Sequence, residues 1–266
     1  MDERNLSSRL SLMNAEKNYL TTHRAHDYKD LIRRWRRLTR PSGLRIRPFT
    51  TQAGHEVFYL SPRKPRPGKS IYLSAGIHGD EPASPAGLLH WAENNPQHLK
   101  ELDLLIFPCL NPWGLINNVR TNQRGRDLNR DFQNNRLPFV RAWRAVVENQ
   151  HFDLALNLHE DYDAQGVYIY ELKQRPPFRA EEILSAVRRI IPSDQRRKID
   201  TSTAKGGVIR RRFTIRDFDD FGLPEALYLH FHHSDATLTI ETPSAYSLFS
   251  RMQAQSAAIK AAIAAI

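Results

Sequence analysis

The sequence predicts an α/β fold, a three-layer α/β/α sandwich with a central mixed, largely parallel sheet. Two observations carry this. From Ser70 onward short apolar runs of strand length recur, and stretches with helical spacing of apolar residues lie between them. Strands that read as near-continuous apolar runs are buried on both faces, which calls for a helical layer on each side of the sheet. A third observation limits the architecture. The 266 residues show no internal repeat and no linker, so one domain over residues 26–266 is expected behind a polar N-terminal arm, residues 1–25.

Residues 27–38 place Leu31, Ile32, Trp35 and Leu38 at helical spacing, and Pro41-Ser42-Gly43 is expected to end that helix. Residues 44–60 alternate on either side of Gln52-Ala53-Gly54 and read as a hairpin. A loop rich in proline and basic residues, 62–68, leads to a short apolar strand over Ser70–Ala75. Pro82 or Pro85 suits a helix start, and residues 86–94 continue that helix. Further strands are expected over 102–110, 153–158, 166–170 and 236–240. Helices are expected over 137–148, 178–191 and 224–230, and an Ala-rich helix over 245–266 closes the chain.

Composition removes several classes of protein. No run of about 18 apolar residues occurs, so no membrane span is expected. The N-terminus, MDERNLSSRL, has no apolar stretch behind its charges and does not read as a secretory signal. Cys109 is the single cysteine and forms no internal disulfide, which fits a reducing, cytoplasmic setting. Thirty-nine Lys+Arg against 29 Asp+Glu give a formal net charge of +10. The basic residues cluster at Arg33 to Arg37, Arg188 and Arg189, Arg196 to Lys198 and Arg210 to Arg212. With Trp35, Phe213 and Phe218 nearby they raise a nucleic-acid reading. No Cys–His finger, glycine-rich phosphate loop or RNA-binding aromatic signature supports it, so it stands as a remote alternative. Each cluster also reads as the solvated face of a helix.

Ligands of open α/β sheets gather beyond the carboxyl ends of the strands. Three such ends carry unusual residues here: His78 and Glu81 after the first apolar strand, His159 after the 153–158 strand, and Glu241 after the last. His78, Glu81 and His159 would make a His₂Glu set, one of the catalytic zinc arrangements that leaves a fourth position for water. Glu241 could then take a proton from that water. An H-x-x-E pair by itself is common, and His159 also reads as a satisfied histidine at a strand end. On the residues alone both readings stand. The segment 111–132 is a long polar loop rich in Asn and Arg, in which Arg120 and Arg130 could hold a carboxylate or a developing oxyanion. A basic surface loop is the other reading.

Taken together, "GIHGDE" at 76–81, "NPWG…R-x-N…G-x-DLNR-x-F" over 111–132, "NLH" at 157–159 and "TIETP" at 239–243 resemble the zinc metallocarboxypeptidases of the carboxypeptidase A type. The likeness is greatest to their short bacterial members, which include murein peptide amidases. It spans Gly76 to Pro243 in the family's order. The resemblance implies one zinc per chain on His78, Glu81 and His159, with Glu241 as general base and proton shuttle. It implies that Arg120 polarises the scissile carbonyl, that Asn129 and Arg130 hold the carboxylate of the released residue, and that Asp127 orients His78. The implied activity is hydrolysis of a peptide-type amide beside a free carboxylate, on small peptides or acylated amino acids, acidic ones among them.

Two positions depart from the family. Asp80 stands where the digestive members carry an Arg, as in the amidase-like and acylase-like branches. No Tyr occurs at 216–221, where the family's mobile Tyr is expected, and Tyr228 is the nearest alternative. The succinylglutamate desuccinylase/aspartoacylase branch shares "HG-x-E" and "D-x-NR" and is the alternative, an N-acyl amino acid deacylase. That branch starts its zinc motif near the N-terminus and adds a domain after the catalytic Glu. Here 77 residues precede His78 and 25 follow Glu241, so the carboxypeptidase layout is favoured. Arg210, Arg211 and Arg212 are candidates for reading acidic substrates, and the net positive charge is expected to favour them. His230, His232 and His233 read as a polar patch.

Overall fold

Alternation along the strands sorts the core into two halves. In a computed structural model of the chain, which describes residues 13–19, 21, 24–173, 176–218 and 222–266, β3 (Ser70–Ala75) and β4 (Asp103–Phe107) lie side by side. Ile71, Leu73, Leu104 and Ile106 point into one apolar cluster; Tyr72, Leu105 and Phe107 point into the other. A strand alternates its side chains between faces, so each cluster needs its own covering layer. The first is covered by α1 (Tyr28–Ser42), α2 (Ala83–Asn94), α3 (Pro96–Glu101), α6 (Ala180–Val187) and α8 (Leu248–Ala264). The second is covered by α5 (Pro138–Val147) and α7 (Glu225–His232), with Phe132 and Trp143 at its centre. The three layers are those expected.

The eight-stranded sheet runs β1-β2-β4-β3-β5-β10-β6-β9, with β1 (Leu44–Gln52), β2 (His55–Pro62), β5 (Leu154–Asp161), β6 (Tyr168–Glu171), β9 (Val208–Ile209) and β10 (Thr237–Pro243). Its centre, β4-β3-β5-β10, is parallel, while the β1–β2 hairpin joins β4 antiparallel and β6 joins β10 antiparallel. The strand ends with the unusual residues therefore share one edge of the sheet.

Some details differ from the sequence reading. Helix α1 runs past Leu38 with Pro41 in its last turn, and it ends within Pro41-Ser42-Gly43 as expected, closed by Gly43 in the left-handed region, φ 72°. Helix α6 is shorter than the expected 178–191. A short hairpin, β7 (Lys198–Ile199) with β8 (Ser202–Thr203), and the two-residue β9 have no apolar run long enough to announce them. The long polar segment contains α4 (Pro112–Asn117) and a 3₁₀ turn over Leu128–Arg130. The polar arm over 1–25 lies largely outside the described residues. Among the described residues no helix is long and apolar enough to cross a membrane.

Candidate metal centre and cavity

Register brings the first two groups together. Ala75 pairs with Leu158 across β3 and β5, so the turn after β3 rises beside His159. His159 in turn pairs with Glu241 across β5 and β10, which puts both side chains on the same face at the strand ends. The turn Gly76 to Glu81 packs against the start of α4. A Cβ on Gly79 would lie 1.9 Å from the carbonyl carbon of Gly114, so only glycine fits there.

His78, Glu81 and His159 are 3%, 2% and 4% exposed, and one ligand atom from each lies within 4.8 Å of the others. His78 Nδ1 is 2.5 Å from Glu81 Oε1, and His159 Nδ1 is 2.9 Å from Glu81 Oε2. His78 Nε2 faces Asp127 Oδ1 at 3.1 Å. Two imidazole nitrogens and a carboxylate converging in a buried spot, with one imidazole oriented from behind by a second carboxylate, is a donor set that fits a zinc ion. Burial would lower the His78 imidazole. The Glu81 charge and hydrogen bonds to Asp127 and Glu81 outweigh it and raise it to about 9. Burial likewise opposes ionisation of Glu81, but the two imidazoles hold its carboxyl well below the usual range. In the metal-free protein a proton therefore sits where a cation would bind.

Asp127 is the hub of the neighbouring loop. Besides facing His78 it accepts from Arg120 Nε at 3.1 Å and, through Oδ1, from the Asn129 backbone N–H at 2.9 Å. Asn111 caps α4 by accepting from Gly114 N–H and donates to the Thr121 carbonyl, which fixes the loop that carries Arg120. The Arg120 guanidinium, 42% exposed, lies 3.6 Å from Glu81. Asn129 Oδ1 accepts from the Glu225 backbone N–H at 2.9 Å, which leaves its amide NH₂ as the group available to the cavity it lines. Arg130 Nη1 donates to the Asn129 carbonyl and lines the same cavity.

That cavity, about 870 Å³, opens over the His–Glu–His group and brings together every site residue read from the sequence except Asp127, which stands behind it. Glu241 faces it without a hydrogen-bond partner among the described residues. Burial, reinforced by Glu81, Asp161 and Asp200 against the pull of His159, raises its carboxyl to about 8. Of the arginine triplet only Arg211 reaches the cavity; Arg210 is held by Glu171 and Glu181. Tyr228 does not line it and packs between Trp143 and Arg144. His230, His232 and His233 lie outside it too. Trp35 is fully buried, so it offers no stacking platform. The sequence reading missed Tyr162, Tyr168, Tyr170 and Asp200, all in the cavity wall. The polar run directly after His159 was the available signal for Tyr162.

Fold and site together define an α/β/α protein of the metallocarboxypeptidase architecture. A model of the succinylglutamate desuccinylase/aspartoacylase catalytic domain matches residues 67–193, just under half of the chain, including every site residue except Glu241. No curated protein matches the chain by sequence. A protein from Shewanella amazonensis SB2B assigned as a metallopeptidase superposes with a TM-score of 0.78 at 22% identity, over 89% of this chain and 92% of its own. A metallo-carboxypeptidase from Burkholderia cenocepacia gives 0.63 at 16% identity, over 87% and 68%. One from Pseudomonas aeruginosa, in complex with (2-guanidinoethylmercapto)succinic acid, gives 0.62 at 17%, over 90% and 69%. The resemblance to the zinc carboxypeptidase-like proteins thus holds in fold, and the likeness to the desuccinylase branch holds in sequence.

Proposed function

We propose that this protein is a zinc-dependent hydrolase, one ion per chain, that cleaves a peptide-type amide beside a free carboxylate, as a metallocarboxypeptidase or murein-peptide amidase does. One observation carries the reading. The buried His78–Glu81–His159 group and the carboxylate of Glu241 stand side by side at the strand ends, beneath a cavity of substrate size.

When bound at His78, Glu81 and His159, zinc supplies Lewis acidity toward a carbonyl oxygen and an attacking water. Glu241 receives the water's proton on its carboxylate and returns it to the departing amine nitrogen. Arg120, held by Asp127, presents its guanidinium to the oxygen that gains charge. The Asn129 amide NH₂ and the Arg130 guanidinium grip the substrate carboxylate. The ligand of the Pseudomonas aeruginosa protein carries two carboxylates, which agrees with such a grip.

A second reading, N-acyl amino acid deacylase, is favoured by the desuccinylase-type match over 67–193. Both reactions break an amide next to a carboxylate, so substrates separate them. Purified protein assayed for zinc should hold about one equivalent, and His78→Ala should hold none. Glu241→Gln should keep the metal and lose hydrolysis by several orders of magnitude. Absence of any divalent metal after mild purification would sink the proposal. Turnover of N-succinyl amino acids but not of peptides would move it to the deacylase.

A further inference from the structure

The net charge of +10 does not describe the cavity. Among the described residues seven carboxylates line it against three arginines. One of those carboxylates, Glu81, belongs to the metal group, and Glu160 is tied to Arg251 behind it. Arg120 and Arg130 stand beside the metal group, whereas Arg211 follows β9, the strand paired with β6, and stacks on Phe213. On that far side, past Glu241, the wall also holds Asp161, Asp200, Tyr168 and Tyr170.

Register places this far wall. His159, Glu241 and Tyr168 lie in one row across β5, β10 and β6; Thr239 and Tyr170 form the row beneath. Two strand spacings separate His159 from Tyr168, about 10 Å. The Tyr168 hydroxyl donates to Asp161 at 3.0 Å, and the Tyr170 hydroxyl donates to Asp200 at 2.5 Å. The two rings meet edge to face at 5.7 Å. Each phenol thus presents a carboxylate to the cavity and backs it with an aromatic ring. Among the described residues Asp200 has no cationic partner, and Arg196 approaches Asp161 only at 4.0 Å while its main bond is to Asp194. Thr239, 8% exposed, lines the cavity floor between these groups, and its hydroxyl has no hydrogen-bond partner among the described residues.

Carboxylates, ring faces and a free hydroxyl acceptor around one space form a site for an organic ammonium group. They do not form a second metal site. The His78–Glu81–His159 group is the only set among the described residues whose ligand atoms converge closely enough. We propose that the substrate carries an ammonium group in addition to its free carboxylate, and that Asp200, Asp161 and Thr239 receive it. This rests on the hydrolase reading and names its substrate class: amides of amino acids with a basic side chain, or peptides with a free amino terminus. The carboxylate lies toward Arg120 and Arg130, the amide over the metal group, and the cation toward β6.

The test compares matched compounds on the zinc-loaded protein. N-acyl-lysine should be hydrolysed with a kcat/KM at least about tenfold above its Nε-acetyl-lysine and norleucine counterparts. A preference for glycyl-norleucine over acetylglycyl-norleucine would assign the ammonium to the amino terminus instead of the side chain. In Asp200→Asn the preference should fall to within about twofold, and Tyr170→Phe, which removes the bond holding Asp200, should lower the same ratio. Calorimetric binding of lysine, Nε-acetyl-lysine and norleucine gives a second readout independent of turnover. Equal turnover of charged and neutral compounds by the unaltered protein, or a ratio unmoved in folded Asp200→Asn, would overturn the ammonium site. Failure to hydrolyse any compound would instead overturn the hydrolase reading. Calorimetry would then decide the site alone: tighter lysine binding that is lost in Asp200→Asn upholds it, and equal binding of all three compounds rejects it.

Discussion

Arg251→Ala should destabilise the metal-free protein in a pH-dependent way, and the structure sets both the sign and the scale. Glu160 is 3% exposed and is held by Arg251 from α8 and by the Ala83 backbone N–H at 2.6 Å. Its own N–H donates to Glu81, so this buried carboxyl ties α2, α8 and the metal group together. Burial pushes it up from 4.5 to about 7 even with the arginine beside it. A carboxyl raised on folding contributes stability that is present below its unfolded value and lost as pH rises through its folded value. From 4.5 to about 7 that loss is about 3 kcal/mol. Without Arg251 the carboxyl rises further. At pH 6 it is protonated in both proteins, so the substitution costs packing and one hydrogen bond, about 1–2 kcal/mol. At pH 9 the unaltered protein ionises it beside a guanidinium, whereas the variant must bury it unpaired, at a cost of about 3–5 kcal/mol. Urea unfolding at the two pH values reads the difference, and Arg251→Ala with Glu160→Gln should flatten it. A cost that is the same at both pH values, or no recovery in the double variant, would refute the reasoning.

Other expectations follow from the same geometry. Asp127→Ala should weaken zinc about 10–100-fold, measured by competition with a chelator, because His78 loses the group that orients it. Arg120→Ala should lower kcat by about 10²–10³ with a smaller change in KM, whereas Asn129→Ala should act chiefly on KM; the opposite split would exchange their roles. Gly79→Ala must displace the Gly114 backbone, and a thermal melt should show a loss of more than about 3 kcal/mol. His78 holds its proton up to about 9 in the metal-free protein, so the stability it contributes is complete below 6.5 and fades as pH rises through 9. Zinc needs no such proton. The rise in Tm on adding zinc should therefore be greater at pH 9 than at pH 7, and an equal rise would contradict the proton-bridged group.

Much of the site was legible because its residues stand at the ends of apolar strands. His159 and Glu241 each close such a run, and parallel pairing of neighbouring strands brings those ends to one edge. Asp127, Asn129 and Arg130 sit in one turn, so their neighbourhood was local in sequence. The far wall was not legible for the opposite reason. Asp200 lies in a turn between two-residue strands, and its hydrogen-bond partner in the cavity wall is Tyr170, 30 residues earlier. No local period marks such a pairing. The interior use of Asn129 Oδ1 was equally hidden, since its partner is the N–H of Glu225, 96 residues away.

The net charge shows the same limit from another side. A count of 39 basic residues suggests a positive field for anionic partners, but charge acts from where it is placed. Arg66 donates to the carbonyls of Ser42, Leu99 and Leu102 and so closes the C-terminal ends of α1 and α3, not a binding surface. Arg34 is tied to Glu93, Arg196 to Asp194 and Arg210 to Glu171 and Glu181. Arg144 caps the Phe132 carbonyl. Arg34, Arg66, Arg144, Arg196 and Arg210 all stay out of the cavity lining, in which carboxylates outnumber arginines. A cavity facing Asp161 and Asp200 would repel a second carboxylate and attract an ammonium, whatever the sign of the whole molecule. Selectivity between glutamyl and lysyl amides therefore measures the local field directly, and the sequence total predicts the opposite preference.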